Sequence, residues 1–174
     1  FLDIGQKLIH ECPECGMRYD KSFATDVRLH NRFHRFSTAG LQLRYGEKDV
    51  IGRFKDYTSV VVDGRRREEL MELVNKELNA VDLSGDESVF AMLNSKGCLC
   101  SVLIIESEPL DHLRVSRIWT RKDLRRKNLA SKLLESVLDM RGLKRENVMF
   151  SAPTNSGVSF ATAFTGQQPK VYQK

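Results

Sequence analysis

Two cysteines and two histidines near the amino terminus carry the most legible chemistry of this 174-residue chain. Two residues separate Cys12 from Cys15, three separate His30 from His34, and fourteen lie between the pairs. A Cys-x-x-Cys knuckle turns tightly enough for both thiolates to reach one ion. Histidines four apart lie on one face of a helix, about one turn from each other. Four such ligands with no vacancy suit a tetrahedral structural zinc. The central gap is slightly longer than the roughly twelve residues usual in two-Cys two-His fingers. Gly16 supports the knuckle, and Tyr19 and Phe23 are expected to form a small core beside the metal. A finger helix over 25–36 offers Arg28, Arg32 and Arg35. One finger reads about three base pairs, too few for sequence-specific recognition of DNA. A structural or protein-docking role is therefore expected, and His10, outside the spacing, is read as incidental.

A second constellation is cationic. Residues 114–132 hold Arg114, Arg117, Arg121, Lys122, Arg125, Arg126, Lys127 and Lys132 against the single acid Asp123, a local +7 in a chain of net charge +5. The remainder is slightly acidic. The spacing places this cluster at a junction: a strand through Ser116, Arg117, Ile118 and Trp119, a basic loop from Thr120 to Lys127, then a helix from Asn128. Amide groups at a helix start lack intrahelical partners and carry partial positive charge. A pyrophosphate seated there gains those hydrogen bonds and the surrounding cations. The cluster thus points to a phosphate-bearing partner, a nucleotide-like cofactor or nucleic acid.

The elements that position these groups follow from periodicity. Candidate strands are 41–45, 50–54, 57–62, 88–93, 98–106, 113–120, 147–151 and 170–173. Residues 94–97 read as a hairpin turn between two of them. A helix over 65–79 carries Leu70, Leu73, Val74 and Leu78 on one stripe, with Asp63 available as its cap. A second, over 128–140, carries Ala130, Leu133, Leu134, Val137 and Leu138. A third follows Ser156 with Phe160 and Phe164 one turn apart. This order describes an α+β domain with a mostly antiparallel sheet over 41–174, preceded by a zinc finger within 1–40.

Bulk properties agree with that class. The hydrophobic fraction, 41%, is ordinary for a globular chain. The longest apolar run, Val102 to Ile105, is far too short to span a bilayer, and no membrane partner is expected. No basic-then-apolar leader opens the chain, and its start at Phe1 suggests a fragment. Cys98 and Cys100 alternate along an apolar strand and are expected as buried free thiols, the pattern of a reducing compartment.

At the junction the residues become specific. Arg125, Arg126, Lys127, Asn128, Leu129 and Ala130 resemble the Arg/Gln-x-x-Gly-x-Gly/Ala loop of the Gcn5-related N-acetyltransferase superfamily, with Asn128 in place of the usual glycine. The wider string resembles one branch, the establishment-of-cohesion acetyltransferases, in which a basic residue often replaces that glycine. It comprises Ser116-Arg-Ile-Trp119, the basic loop, and Ala130-Ser-Lys-Leu-Leu-Glu135. Phe150-Ser-Ala-Pro153-Thr154, Gly157, Phe160-Ala-Thr162 and Val171-Tyr172 are similar to that family's closing segment, and Cys12-x-x-Cys15-Gly16-Met17-x-Tyr19 to its finger. The resemblance is thin between about 41 and 110.

The resemblance implies a Gcn5-related acetyltransferase fold and transfer of an acetyl group from acetyl-CoA to lysines on the ATPase-head subunit of cohesin. It implies a nuclear, chromatin-associated protein, with contacts to a replication clamp and chromatin through regions outside this chain. Backbone groups of Ile118, Trp119 and Thr120 would hold the thioester carbonyl and pantetheine, residues 125–130 the phosphates, and Tyr172 the thiolate. Glu135 matches a catalytic acid/base position and Ser116 an active-site serine, while zinc, bound by Cys12, Cys15, His30 and His34, is structural. Yet Glu135 falls roughly 130° from the centre of its helix's apolar stripe on a wheel of ~100° per residue. Ala152 stands where many relatives carry aspartate, and alanine does no acid/base chemistry. Glu135 with water, Asp111, another acid, or slow catalysis are the alternatives. Two other functions stay open: a finger-bearing acetyltransferase of histone or other proteins, and a non-enzymatic DNA-binding module, whose affinity would fall steeply with salt.

Overall fold

A computed structural model describes residues 9–78, 80, 86–107, 109–151 and 153–172, the side chains of 32 and 35–39 excepted. The chain divides into two compact units, 1–42 and 43–174.

The first unit is a two-stranded ribbon and a helix. β1 (Ile9–Glu11) pairs antiparallel with β2 (Arg18–Asp20), and α1 (Ala24–Ala39) follows. Neither strand was expected, because three residues are too few for an alternation to register. Between them the Cys12 amide donates to the Met17 carbonyl at 2.9 Å and the Gly16 amide to the Cys12 carbonyl at 2.8 Å. Gly16 closes this knuckle at φ +70°, a conformation that a side chain would strain. Tyr19 packs as expected, stacking on His30 with ring centroids 3.9 Å apart. Phe23 does not: it is 54% exposed.

The second unit is a seven-stranded sheet. Its strands are β3 (Val50–Arg53), β4 (Tyr57–Val62), β5 (Glu87–Asn94), β6 (Leu99–Glu106), β7 (Leu113–Thr120), β8 (Val148–Ser151) and β9 (Lys170–Tyr172), side by side in that order. All pairs are antiparallel except β7–β8 and β8–β9. The helices are α2 (Gly64–Leu78), α3 (Leu129–Arg141) and α4 (Asn155–Thr165). The α+β expectation holds, as does the 94–97 turn, where Gly97 sits at φ +74° and the Asn94 side-chain oxygen accepts the Lys96 and Cys98 amides.

Two local expectations fail. Residues 41–45 form no ladder: Gln42 makes a lone β-bridge, and the buried Leu43 donates its amide to the Gly97 carbonyl at 2.9 Å. On α2 the buried side chains are Leu70, Met71, Val74 and Asn75, whereas Leu78 is exposed. The inward stripe is thus rotated toward Met71, a position that pattern alone did not select.

The main core lies between the sheet and α3 and α4, where Leu103, Ile105, Leu113, Val115 and Phe150 meet Leu129, Leu133, Leu134, Val137, Ala161 and Phe164. Burying a side chain of this kind stabilises by roughly 1.5–3 kcal/mol. β3 approaches α3 closely at Gly52, where any Cβ would sit 2.6 Å from the hydroxyls of Ser59 and Ser136, themselves hydrogen-bonded at 2.9 Å. Both Cys98 and Cys100 are free thiols, with Cys100 buried and Cys98 partly so.

Candidate functional site

The finger's ligand atoms converge. One ligand atom from each of Cys12, Cys15, His30 and His34 lies within 4.8 Å of the others. Metal–ligand bonds of about 2.0–2.3 Å in a tetrahedron require that proximity. Three further observations fit a metal. The buried His30 Nε2 has no hydrogen-bond partner among the described residues. Cys12 Sγ lies 3.4 Å from His34 Nδ1. On the ring's other side, His34 Nε2 lies 3.3 Å from the Glu14 carboxylate, the kind of outer contact that orients a metal-binding imidazole. The Cys15 backbone amide first, then His30, bring the Cys12 thiol down from 9.0 to about 6. One thiolate therefore forms readily at neutral pH, while burial raises the Cys15 thiol, which needs the ion's own charge to ionise.

In the second unit the site is built where β7 and β8 part. Leu113, Arg114 and Val115 pair with Val148, Met149 and Phe150, and β7 then runs on to Thr120 while β8 ends at Ser151. The backbone of 116–120 therefore has β6 on one side only. Ser151 Oγ donates to the Ser116 carbonyl at 2.7 Å, pinning the point of divergence. Tyr172 on β9 is opposite Ser151. Its ring is buried under the Arg114 guanidinium, 5.3 Å from the ring centroid. Burial, then the charges of Glu106 and Glu87, push its phenol well above the ordinary tyrosine range, so it remains a proton donor at neutral pH.

The basic turn follows β7. Arg121 binds Asp123 through two hydrogen bonds of 2.7 and 2.9 Å, which hold that carboxyl below its ordinary value and occupy the cluster's one acid. Arg125 Nε reaches back to the Thr120 carbonyl at 3.2 Å. Arg126, Lys127 and Asn128 are exposed, and no carboxylate pairs with Arg126 or Lys127 among the described residues. Arg126 and Asn128 stand at φ +63° and +61°, uncommon for residues other than glycine. This turn, with its two left-handed residues, delivers the chain to α3. No side chain caps that helix at Asn128, so its first amides are left for a ligand. Leu129 is buried in the core and Ala130 half-buried, which leaves the backbone as the part of each that a ligand could reach. The same holds for Trp119, whose side chain is buried, and for Ile118, which packs against the core; Thr120 Oγ1 is held by Ser101 Oγ at 2.9 Å.

The proposed acid/base pair is not joined by a contact. Glu135 is half-exposed on α3 and forms an ion pair with Arg145. Asp111 is exposed beside His112, and Ala152 lies outside the described residues. Instead Ser116 Oγ donates to Oε1 of Glu87 at 2.7 Å. Glu87, which sequence reasoning missed, has no exposed side-chain surface and forms an ion pair with the buried Arg117 at 3.1 Å. A lone acid at the start of an apolar strand was the one available signal.

Comparison with known proteins follows the two units. Residues 1–36 match the family described as the zinc-finger of acetyl-transferase ESCO, and residues 112–172 the ESCO1/2 acetyl-transferase. The chain belongs to the ESCO acetyltransferase family. It is 26% identical over 206 aligned positions to N-acetyltransferase eso1 of Schizosaccharomyces pombe, which covers 91% of this chain and 23% of that relative. It is 24% identical to N-acetyltransferase ECO1 of Yarrowia lipolytica, covering 95% of this chain and 70% of the relative. The chain thus spans less than a quarter of the fission-yeast ESCO relative's length. A structure of the xEco2 acetyltransferase domain bound to a K105-CoA conjugate superposes with TM-score 0.62 and 26% identity over 71% of this chain and 96% of that one. The ESCO catalytic fold is therefore the fold of the second unit.

Proposed function

We propose that this chain is a protein-lysine N-acetyltransferase of sister-chromatid cohesion, taking acetyl groups from acetyl-CoA and delivering them to the ATPase-head subunit of cohesin. The observation that carries the reading is the junction of parted strands with an uncapped, cation-lined helix start. The same element that exposes the β7 backbone also presents Arg125, Arg126, Lys127 and the first amides of α3. A pyrophosphate seated on that turn sends its pantetheine arm along 118–120. The thioester supplies an activated acyl group. A β7 amide polarises its carbonyl, which favours the charge that develops on attack. A lysine at neutral pH is almost wholly protonated, so it must lose a proton before attacking. Tyr172, protonated and buried at the parting of the strands, is placed to return a proton to the departing thiolate. The conjugate in the xEco2 domain joins a lysine to coenzyme A, which supports a lysine acceptor here. In this reading the protein works in the nucleus, on chromatin.

The finger is a structural zinc module in this reading, holding one ion through Cys12, Cys15, His30 and His34. The test is incubation with acetyl-CoA and purified cohesin heads, read by mass spectrometry. Acetyl-lysine on the head that requires this chain is the expected result; modification of histone tails alone would move the substrate assignment. DNA binding with no affinity for coenzyme A would remove the enzyme reading.

A further inference from the structure

We infer that Glu87 is the terminal acceptor of the lysine proton, reached through the hydroxyl of Ser116. This rests on the acetyltransferase reading above. Three observations carry it: a hydrogen bond, a backbone irregularity and a gradient of burial.

The Ser116 hydroxyl already donates to Glu87 Oε1 at 2.7 Å. A regular strand would not allow Ser116 and Arg117 to reach one carboxylate, since successive side chains point to opposite faces. Here Ile104 faces Arg117 while Ile105 faces Val115, so Ser116 is the extra residue of a β-bulge. The bulge brings both side chains to Glu87, and bulges re-aim side chains in this way beside active sites. Ser116 is half-buried at the level where β8 leaves β7, whereas the Glu87 side chain is fully enclosed. A substrate amine entering at the parting of the strands would meet the hydroxyl first and the carboxylate only through it. Ala152 offers no proton acceptor, and Glu135 is engaged by Arg145.

The step balances. The substrate ammonium gives a proton to Ser116 Oγ as the serine passes its own hydrogen to Glu87 Oε1, leaving a neutral amine and a neutral carboxylic acid. The C–N bond then forms and the C–S bond breaks. The amide nitrogen keeps one hydrogen and gives its other to the Tyr172 phenolate left after protonation of the thiolate, and Glu87 later releases its proton to water. Several groups set the balance at Glu87. Arg117 on β7 favours the carboxylate. Arg67 on α2 donates to the Glu87 carbonyl at 2.8 Å. Glu106 on β6 is its cross-strand partner, and the Tyr172 phenol on β9 feels its charge. Glu106 in turn is paired with Arg114 at 3.4 Å, which limits repulsion between the two acids.

The experiment measures kcat against pH for acetyl-CoA and a peptide with two adjacent lysines, following thiol release. Ser116→Ala leaves the Glu87–Arg117 pair in place and removes only the relay, so it keeps the test sound if Glu87→Gln fails to fold. We expect kcat to fall about 100-fold in each, with KM for acetyl-CoA within about twofold. Log kcat of both variants should climb with unit slope toward the lysine pKa of ~10.4, where the wild type has long since levelled. Glu87→Asp should recover part of the rate, and the double variant should be no slower than either single. Unchanged kcat and pH profile in Ser116→Ala would overturn the relay while leaving the enzyme intact. So would a Glu87→Gln rate that falls only in step with the fraction of folded protein. A wild type that releases no thiol would overturn the acetyltransferase reading itself, and this inference with it.

Discussion

The two units are stabilised by opposite means. The finger has a three-residue ribbon, one helix and few enclosed apolar side chains, with Ile9, Phe23 and Leu29 all more than half exposed. Four ligands around one point replace the core it lacks. The second unit encloses a continuous apolar cluster across four strands and two helices, and can therefore tolerate a buried ion pair between Glu87 and Arg117. Burying such a pair is seldom stabilising in itself, since desolvation offsets the attraction. Its presence in a well-packed sheet is a reason to look for chemistry there. Small modules reveal their stabilising residues, and large ones can hide their functional residues inside.

That contrast can be broken most decisively at the metal. Cys15→Ser is expected to unfold the finger, because structural zinc in such peptides supplies about 10–16 kcal/mol of apparent binding energy. Zinc content should drop by one equivalent while coenzyme A binding persists. Loss of both would mean that the units fold as one. A smaller effect is expected at the basic turn. Changing Arg125, Arg126 and Lys127 together to alanine should weaken acetyl-CoA binding at least ~100-fold by calorimetry, each charge-assisted contact contributing roughly 1.5–3 kcal/mol before solvent screening. Melting temperature and zinc content should hardly move, since all three side chains are exposed. The smallest effect tests the large core. Gly52→Ala would drive a methyl group against Ser59 and Ser136 and should destabilise the second unit by about 1–3 kcal/mol. Chemical denaturation should show that loss with the finger's zinc retained.

The same contrast governs what could be read from the sequence. The metal ligands and the α3 stripe of Leu133, Leu134, Val137 and Leu138 are local patterns, and the structure places them as their spacing implies. The basic turn was legible for the same reason, although its two left-handed residues were not, because neither Arg126 nor Asn128 is glycine. The Glu87–Ser116 contact joins residues 29 apart through a bulge, and no periodicity encodes a bulge. The strand expected at 41–45 shrinks to a bridge at Gln42, because alternating Leu41 and Leu43 supply the pattern over too few residues to build a ladder. Glu135 is the reverse case. Resemblance gave it a role, while the helix wheel already turned it from the core, and the structure gives it to Arg145.

The central claim is that the parted strands and the cationic helix start together hold acetyl-CoA. Amide chemical-shift mapping by NMR during titration with acetyl-CoA tests it directly. The largest shifts should fall in two blocks, 116–120 on β7 and 125–131 at the start of α3, with the finger amides of 9–34 unmoved. Saturating shifts confined to the finger, or none in the turn at millimolar ligand, would contradict it.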